Sequence, residues 1–283
     1  MKRIGIVCLA ASCVFATASF AGDSVDDVVQ RLSSDGLTIG DQKVKLTPFW
    51  LPDGMSADEQ TAVTDKLAGR RKKQFYGDSI SATVESDIRS IKAGDQRIGY
   101  SVDFAFIVYA TLDDLLAERQ GEADDGLRAL ANESQMKVEE LSAQALAKAR
   151  IKDVLLEEPN GTGENVVDMA RLIHGTFILL EKVEISSVVR SVSKHSDESI
   201  AVAWEQDRRF HETPVISNKW KFTDNVAGEN SSTYNGFAGY AKVTKLKAND
   251  GALLVEYHYA FAEPKEWAEE RISLRAKLSI VLQ

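Results

Sequence analysis

Cysteine is almost missing from this chain. Of its 283 residues only Cys8 and Cys13 are cysteines, and both fall in an N-terminal stretch that reads as an export signal. Met1-Lys2-Arg3 places two positive charges ahead of a largely apolar run from Ile4 to about Phe20, and Ser19-Phe20-Ala21 sets small residues where a signal peptidase needs them. Cleavage after Ala21 is therefore expected, with an uncleaved anchor as the alternative. A mature chain starting at Gly22 would have no disulfide, no Cys-ligated zinc, no iron–sulfur cluster and no thiol nucleophile. Ala10-Ala11-Ser12-Cys13 loosely resembles a lipoprotein box, but its leucine, Leu9, sits one place early. The lipoprotein is the lesser alternative to cleavage at Ala21. Either way the sequence predicts a periplasmic or extracellular protein.

Long apolar runs are also lacking. Beyond the signal, no segment approaches the roughly 20 apolar residues that cross a bilayer as a helix, so no transmembrane segment is expected in the mature chain. An outer-membrane barrel fits poorly, because strands with evenly apolar outer faces do not recur. Positive charge is scarce as well. The chain carries 34 basic and 43 acidic residues; removal of Lys2 and Arg3 with the signal leaves 32 against 43, a net charge near −11. That balance repels nucleic acid, and no nucleic-acid partner is expected. The one basic run, Arg70-Arg71-Lys72-Lys73, follows a predicted helix and reads as its solvated end.

Catalytic signatures are missing too. There is no Gly-x-Ser-x-Gly elbow, no His-Glu-x-x-His and no Walker loop. Asn235-Gly236-Phe237-Ala238-Gly239 has the wrong glycine spacing for a dinucleotide fingerprint, and a strand follows it. Asp113-Asp114 and Asp124-Asp125 lack calcium-loop spacing. No catalytic or cofactor-binding residue is assigned, and no cofactor is expected.

What is present is a pattern of hairpins and capped helices. Ser24/Asp27 and Ser56/Glu59 are capping-box pairs. The first opens a short helix with Val25, Val28, Val29 and Leu32 on one face. The second opens a helix carrying Ala62, Val63 and Leu67 and stopping at Gly69. Strands are predicted over Gln42–Trp50, Ile80–Ile91, Arg97–Ala110, Phe177–Ser193, Ser199–Asp207, Asn218–Thr223, Phe237–Lys247, Ala252–Ala262 and Ile272–Leu282. Helices are predicted from near Leu112, over Ser134–Arg150, and over Pro264–Arg271. The expected fold is α+β, with long antiparallel β-hairpins forming one or two sheets and helices packed on one face. The organisation reads as signal 1–21, an N-terminal α+β region 22–120, a mainly helical insertion 121–165, and a C-terminal antiparallel region with a short helix over 166–283.

Two hairpins look alike. Ile91-Lys-Ala-Gly-Asp95 precedes Phe104-Ala-Phe106, and Leu246-Lys-Ala-Asn-Asp250 precedes Tyr259-Ala-Phe261, at the same offset from each aspartate. A duplicated hairpin-plus-helix unit and convergence of common hairpin chemistry remain equal readings.

Four histidines are present. His195 falls in a hairpin turn, His174 is read at a helix end before Gly175, and His211-Glu212 would diverge on a strand. Glu256 and His258, two apart on a strand, share a face. That pair could ligate a metal or serve as acid and base; the plainer reading is a polar pair facing solvent. Trp204, Trp220, Tyr240, Tyr257, Tyr259 and Trp267 cluster in the C-terminal region, as a core or as the lining of a ligand groove.

Asn218-Lys-Trp220, Tyr234-Asn-Gly-Phe-Ala-Gly-Tyr240, Gly251-Ala-Leu-Leu-Val-Glu256-Tyr-His258, Glu263-Pro-Lys-Glu-Trp267 and Leu274-Arg-Ala-Lys-Leu278 occur in that order. Together they resemble an uncharacterised family of exported proteins of planctomycete-type bacteria, a resemblance that implies export and no activity. The expectation is a non-catalytic binding or scaffolding protein whose partner is an envelope protein or a small ligand. The alternatives are a hydrolase using Glu256 and His258, and a protein holding a hydrophobic ligand between sheet and helices.

Overall fold

The structure is a computed structural model and describes residues 24–77, 84–113, 115, 137–142, 169–179, 182–213, 215–224 and 231–269. Both capping boxes form. Ser24 opens α1 (Val25–Ser34), its hydroxyl accepting from the Asp27 N–H while the Asp27 carboxylate accepts from the Ser24 N–H. Ser56 and Glu59 do the same for α2 (Ala57–Ala68). Each box satisfies two N–H groups that the helix leaves free, worth about 0.5–2 kcal/mol per cap.

A short hairpin, β1 (Leu37–Ile39) and β2 (Gln42–Val44), follows α1. The chain then crosses the main sheet as an irregular strap, residues 45–54, before α2. A 3-10 turn at Gly69–Arg71 and α3 (Lys72–Phe75) follow. Among the described residues the main sheet holds ten antiparallel strands: β3 (Glu85–Ala93), β4 (Gln96–Tyr109), β5 (Lys137–Glu140), β6 (Met169–Leu179), β7 (Val183–His195), β8 (Ser199–Gln206), β9 (Lys219–Phe222), β10 (Ser232–Thr233), β11 (Phe237–Lys245) and β12 (Ala252–Ala262). The path runs β5-β6-β7-β8-β11-β12-β4-β3, while β9, with β10 beside it, pairs the first residues of β7. Helix α4 (Lys265–Glu269) follows β12. The architecture is thus α+β and mostly antiparallel sheet, and strands from both sides of the 121–165 segment share it.

β7 changes partner along its length, from β9 at residues 183–186 to β8 at 189–195. Asn218, fully buried, closes the gap. Its Oδ1 accepts from the Val188 N–H (2.7 Å) and the Ser187 hydroxyl (3.0 Å), and its Nδ2 donates to the Asp207 carbonyl (2.7 Å). A buried strand junction must satisfy its backbone groups somehow, and one amide side chain does so here.

β4 and β12 lie side by side at the centre, with nine consecutive buried residues in β4 and seven in β12. The two look-alike hairpins therefore stand back to back. Asp103 and His258, 155 residues apart, face each other directly. That separation equals the one from Asp95 to Asp250, so matching the hairpins places Asp103 and His258 at equivalent positions and puts any local twofold axis between them. The turns differ: Ala93 pairs with Gln96, whereas Leu246 reaches Ala252 across a longer loop.

Packing at the centre is tight enough to demand glycine. A Cβ on Gly239 in β11 would stand 2.4 Å from the Tyr259 Cβ and 2.7 Å from the His258 carbonyl. At the entry to β11, Gly236 takes φ +105°, a backbone conformation that favours glycine.

Several expectations are corrected. Gln42–Trp50 is a strand only to Val44. Pro48 has no N–H to give a ladder, and the strap is held by side chains instead. Within the expected helix over Ser134–Arg150, residues Lys137–Glu140 form β5 on the free edge of β6; tertiary pairing overrides the helical spacing, and residues 143–150 lie outside the described ones. The single strand expected over Phe177–Ser193 is two, turning where the Lys182 N–H donates to the Leu179 carbonyl. His174 lies within β6 rather than at a helix end. α2 buries Gln60, Thr64 and Ala68, while Ala62 is exposed, because Gln60 and Thr64 are held by polar contacts beneath the helix. Ile272–Leu282, Asp114, Asp124 and Asp125 lie outside the described residues.

Candidate functional site

Period two places Tyr240 of β11, His258 of β12, Asp103 of β4 and Asp87 of β3 in one cross-strand row. Lys242, Glu256, Ala105 and Glu85 form the next row on the same face. Glu256 and His258 do share a face, as alternation requires. That face is not solvent: both side chains are 0 % exposed. The strap covers them, with Leu46 and Leu51 buried and the Phe49 and Trp50 rings against the imidazole.

His258 Nδ1 lies 2.8 Å from Asp103 Oδ1, and Nε2 lies 3.1 Å from Glu256 Oε2. Each carboxylate also holds the strap. Glu256 accepts from the Trp50 N–H (2.6 Å) and the Leu51 N–H (3.3 Å). Asp103 accepts from the Thr47 hydroxyl (2.8 Å) and from Arg89 of β3. The Tyr240 hydroxyl donates to the Thr47 carbonyl (2.6 Å), and Lys242 donates to the Leu51 carbonyl (2.7 Å) while pairing with Asp53 (2.7 Å). Further along, Ser199 donates to Asp53 (2.7 Å), the Gly54 N–H donates to Glu198 (3.2 Å), and Lys247 donates to the Met55 carbonyl (2.8 Å). The strap thus has its backbone read by side chains of the sheet.

Arg89 pairs with Asp103 and Asp87, Lys242 with Asp53, and His258 lies between the Asp103 and Glu256 carboxylates. Burial pushes the His258 pKa down, but hydrogen bonds to Asp103 and Glu256 and their negative charges outweigh it, and the net shift is upward. Burial also raises Asp53, but hydrogen bonds from Lys242 and Ser199 and the charges of Lys242 and Lys194 bring it below the ordinary carboxylate range. Burial raises Tyr240, with the Asp103 and Glu256 charges adding to it.

Asp103 is the group that sequence reasoning missed. With both imidazole nitrogens on carboxylates and no face open to water, the trio holds the strap and offers no lone pair to a metal or a substrate proton. Among the described residues no group of three or more His, Cys, Asp or Glu side chains is arranged to hold a metal ion.

The other candidates are scattered. His174 Nε2 is 2.8 Å from the Ser186 hydroxyl. His195 ends β7 at its hairpin. His211 follows a 3-10 turn, where burial and the Arg208 charge lower its pKa. Trp220, Tyr240, Tyr257 and Trp267 are buried, and Trp204 and Tyr259 partly so. Tyr234 stacks on Trp267, and Trp220 meets Trp267 edge-on, so these rings fill core.

One open depression of about 290 Å³ lies between α2 and the β11–β12 turn. Gln60, Thr61, Asp65, Tyr76 and Asn249 give it polar walls, and the Tyr76 hydroxyl donates to Thr64 (2.5 Å) at its base. Among the described residues no helix is long and apolar enough to cross a membrane. The chain matches no protein-family model and no curated protein.

Proposed function

We propose that this is an exported envelope or periplasmic protein, cleaved after Ala21, that binds or scaffolds a partner without catalysing a reaction. The observation that carries this reading is the state of Glu256 and His258. The pair most able to do chemistry is sealed under the strap, and its polar atoms are engaged in holding that strap. A hydrolase would need at least one of them open to water and to substrate. The core packing of the C-terminal aromatics likewise supports a structural role over a hydrophobic-ligand groove. A small ligand would be polar, and the depression beside Tyr76 and Asn249 suits it; a protein partner would use other surface. The reading includes membership in the exported family that the C-terminal motifs resemble, and helices gathered on the strap-bearing face of the sheet.

The test is the protein purified from its native envelope fraction. A native mass matching Gly22–Gln283, unchanged by a chelator, with no turnover across a broad hydrolase panel, is the expected result. Turnover lost on His258→Gln substitution, or excess mass removed by the chelator, would replace this reading with the hydrolase.

A further inference from the structure

The strap and the sheet beneath it are held by different forces. β4 and β12 are joined by eleven register pairs, whose backbone ladder does not depend on charge. The strap over residues 47–51 takes its polar contacts with the sheet through side chains: Thr47 to Asp103, Tyr240 to the Thr47 carbonyl, Trp50 and Leu51 to Glu256, and Lys242 to the Leu51 carbonyl. His258 sits between the two carboxylates in this set. Ionised carboxylates only accept hydrogen bonds, so an imidazole between two of them satisfies both only by carrying a proton on each nitrogen.

We propose that the His258 imidazolium is the latch of the strap: while both ring nitrogens are protonated the strap stays seated, and loss of one proton lets residues 47–51 lift while the sheet remains folded. Removing that proton leaves one buried carboxylate oxygen facing a lone pair and adds a net negative charge between Asp103 and Glu256. Those are the carboxylates on which Thr47, Trp50 and Leu51 depend. The upward shift of the His258 pKa agrees with the geometry. A group raised on folding contributes stability that is complete below its ordinary pKa and is lost as pH rises through the folded value. The latch is therefore closed below the folded pKa of His258 and opens as pH rises through it.

Other charged and titratable groups surround the ring. They are Asp103 on β4, Arg89 and Asp87 on β3, Tyr240 and Lys242 on β11, Glu256 on β12 itself, and Asp53 on the strap. The experiment must separate the effect of these groups from that of His258.

The experiment is hydrogen exchange on the intact chain between about pH 6 and pH 10, corrected for intrinsic exchange, beside nitrogen-detected NMR of the histidine rings. Protection of the Trp50 and Leu51 amides should fall by about tenfold per pH unit above the His258 pKa, the slope of one released proton. The amides of β4 and β12 should stay protected. In His258→Gln the strap amides should be weakly protected and indifferent to pH. The NMR needs no variant and should show both His258 nitrogens protonated at pH 7. A neutral ring at pH 7 would overturn the proposal. So would the same pH slope in His258→Gln, which would assign the opening to a group other than His258, and so would joint loss of protection in strap and sheet.

Discussion

Replacing Glu256 by Leu tests how the strap is held. Leucine keeps similar volume and apolar contact but removes the acceptor of three donors: the Trp50 N–H, the Leu51 N–H and His258 Nε2. Each buried donor left without a partner costs about 1–3 kcal/mol, and breaking a buried ion pair by removing one partner costs about 3–5 kcal/mol. These penalties overlap, because His258 can shed its proton and the strap can lift to hydrate its amides, so the expected loss is about 3–5 kcal/mol. Glu256→Gln keeps one carbonyl oxygen and should lose about half as much, in line with hydrogen bonds to charged groups at about 1.5–3 kcal/mol. Denaturant unfolding of wild type and both variants, with the slope compared as well as the midpoint, gives the difference. A loss under about 1 kcal/mol for Glu256→Leu would refute the reasoning, since it would place Glu256 in the range of exposed pairs.

Three further outcomes follow from other parts of the structure. Gly239→Ala forces a Cβ into the Tyr259 side chain and the His258 carbonyl, and should destabilise by about 1–3 kcal/mol, read as a lower melting temperature. Asn218→Ala orphans the Val188 N–H at the β7 junction, while the Asp207 carbonyl keeps its bond from the Phe210 N–H. It should cost about 1–3 kcal/mol at most, with exchange accelerated at Val188 before the rest of β7. Asp53 and Glu198 both titrate below the ordinary carboxylate range in the folded state. Their contribution is present above the ordinary carboxylate pKa and lost as pH falls through the folded values, so the Gly54 amide should lose protection on acidification, and Glu198→Gln should flatten that response.

The sequence made the hairpins and capped helices legible because their signals are local. Ser24 with Asp27, Ser56 with Glu59, and Gly94-Asp95 act within a few residues of themselves. Alternation likewise put Glu256 and His258 on one face. It did not say which face, since a polar pair on a strand looks the same above a core as above water. Two clues were nonetheless present. Leu254 and Ala260 share parity with Glu256 and His258 and mark that face as otherwise apolar. The hairpin likeness, carried one residue back from Phe104 and Tyr259, makes Asp103 the counterpart of His258. The strap itself left no pattern, because its partners are side chains on distant strands and no period records them. β5 went unread for a similar reason: the edge of β6 decides its conformation, and that edge lies beyond the reach of a local window.

The placement of β12 between β11 and β4 bears on the order of assembly. β4 is made early in the chain, yet one of its two neighbours is the last described strand of the sheet. A chain threaded from its N-terminus can pair β4 with β3 early, but it carries the other edge of β4 and the strap residues for most of its synthesis with nothing to pair or cover them. Contacts of such long sequence separation make folding slow. The centre of the sheet therefore closes only when nearly the whole chain has been made.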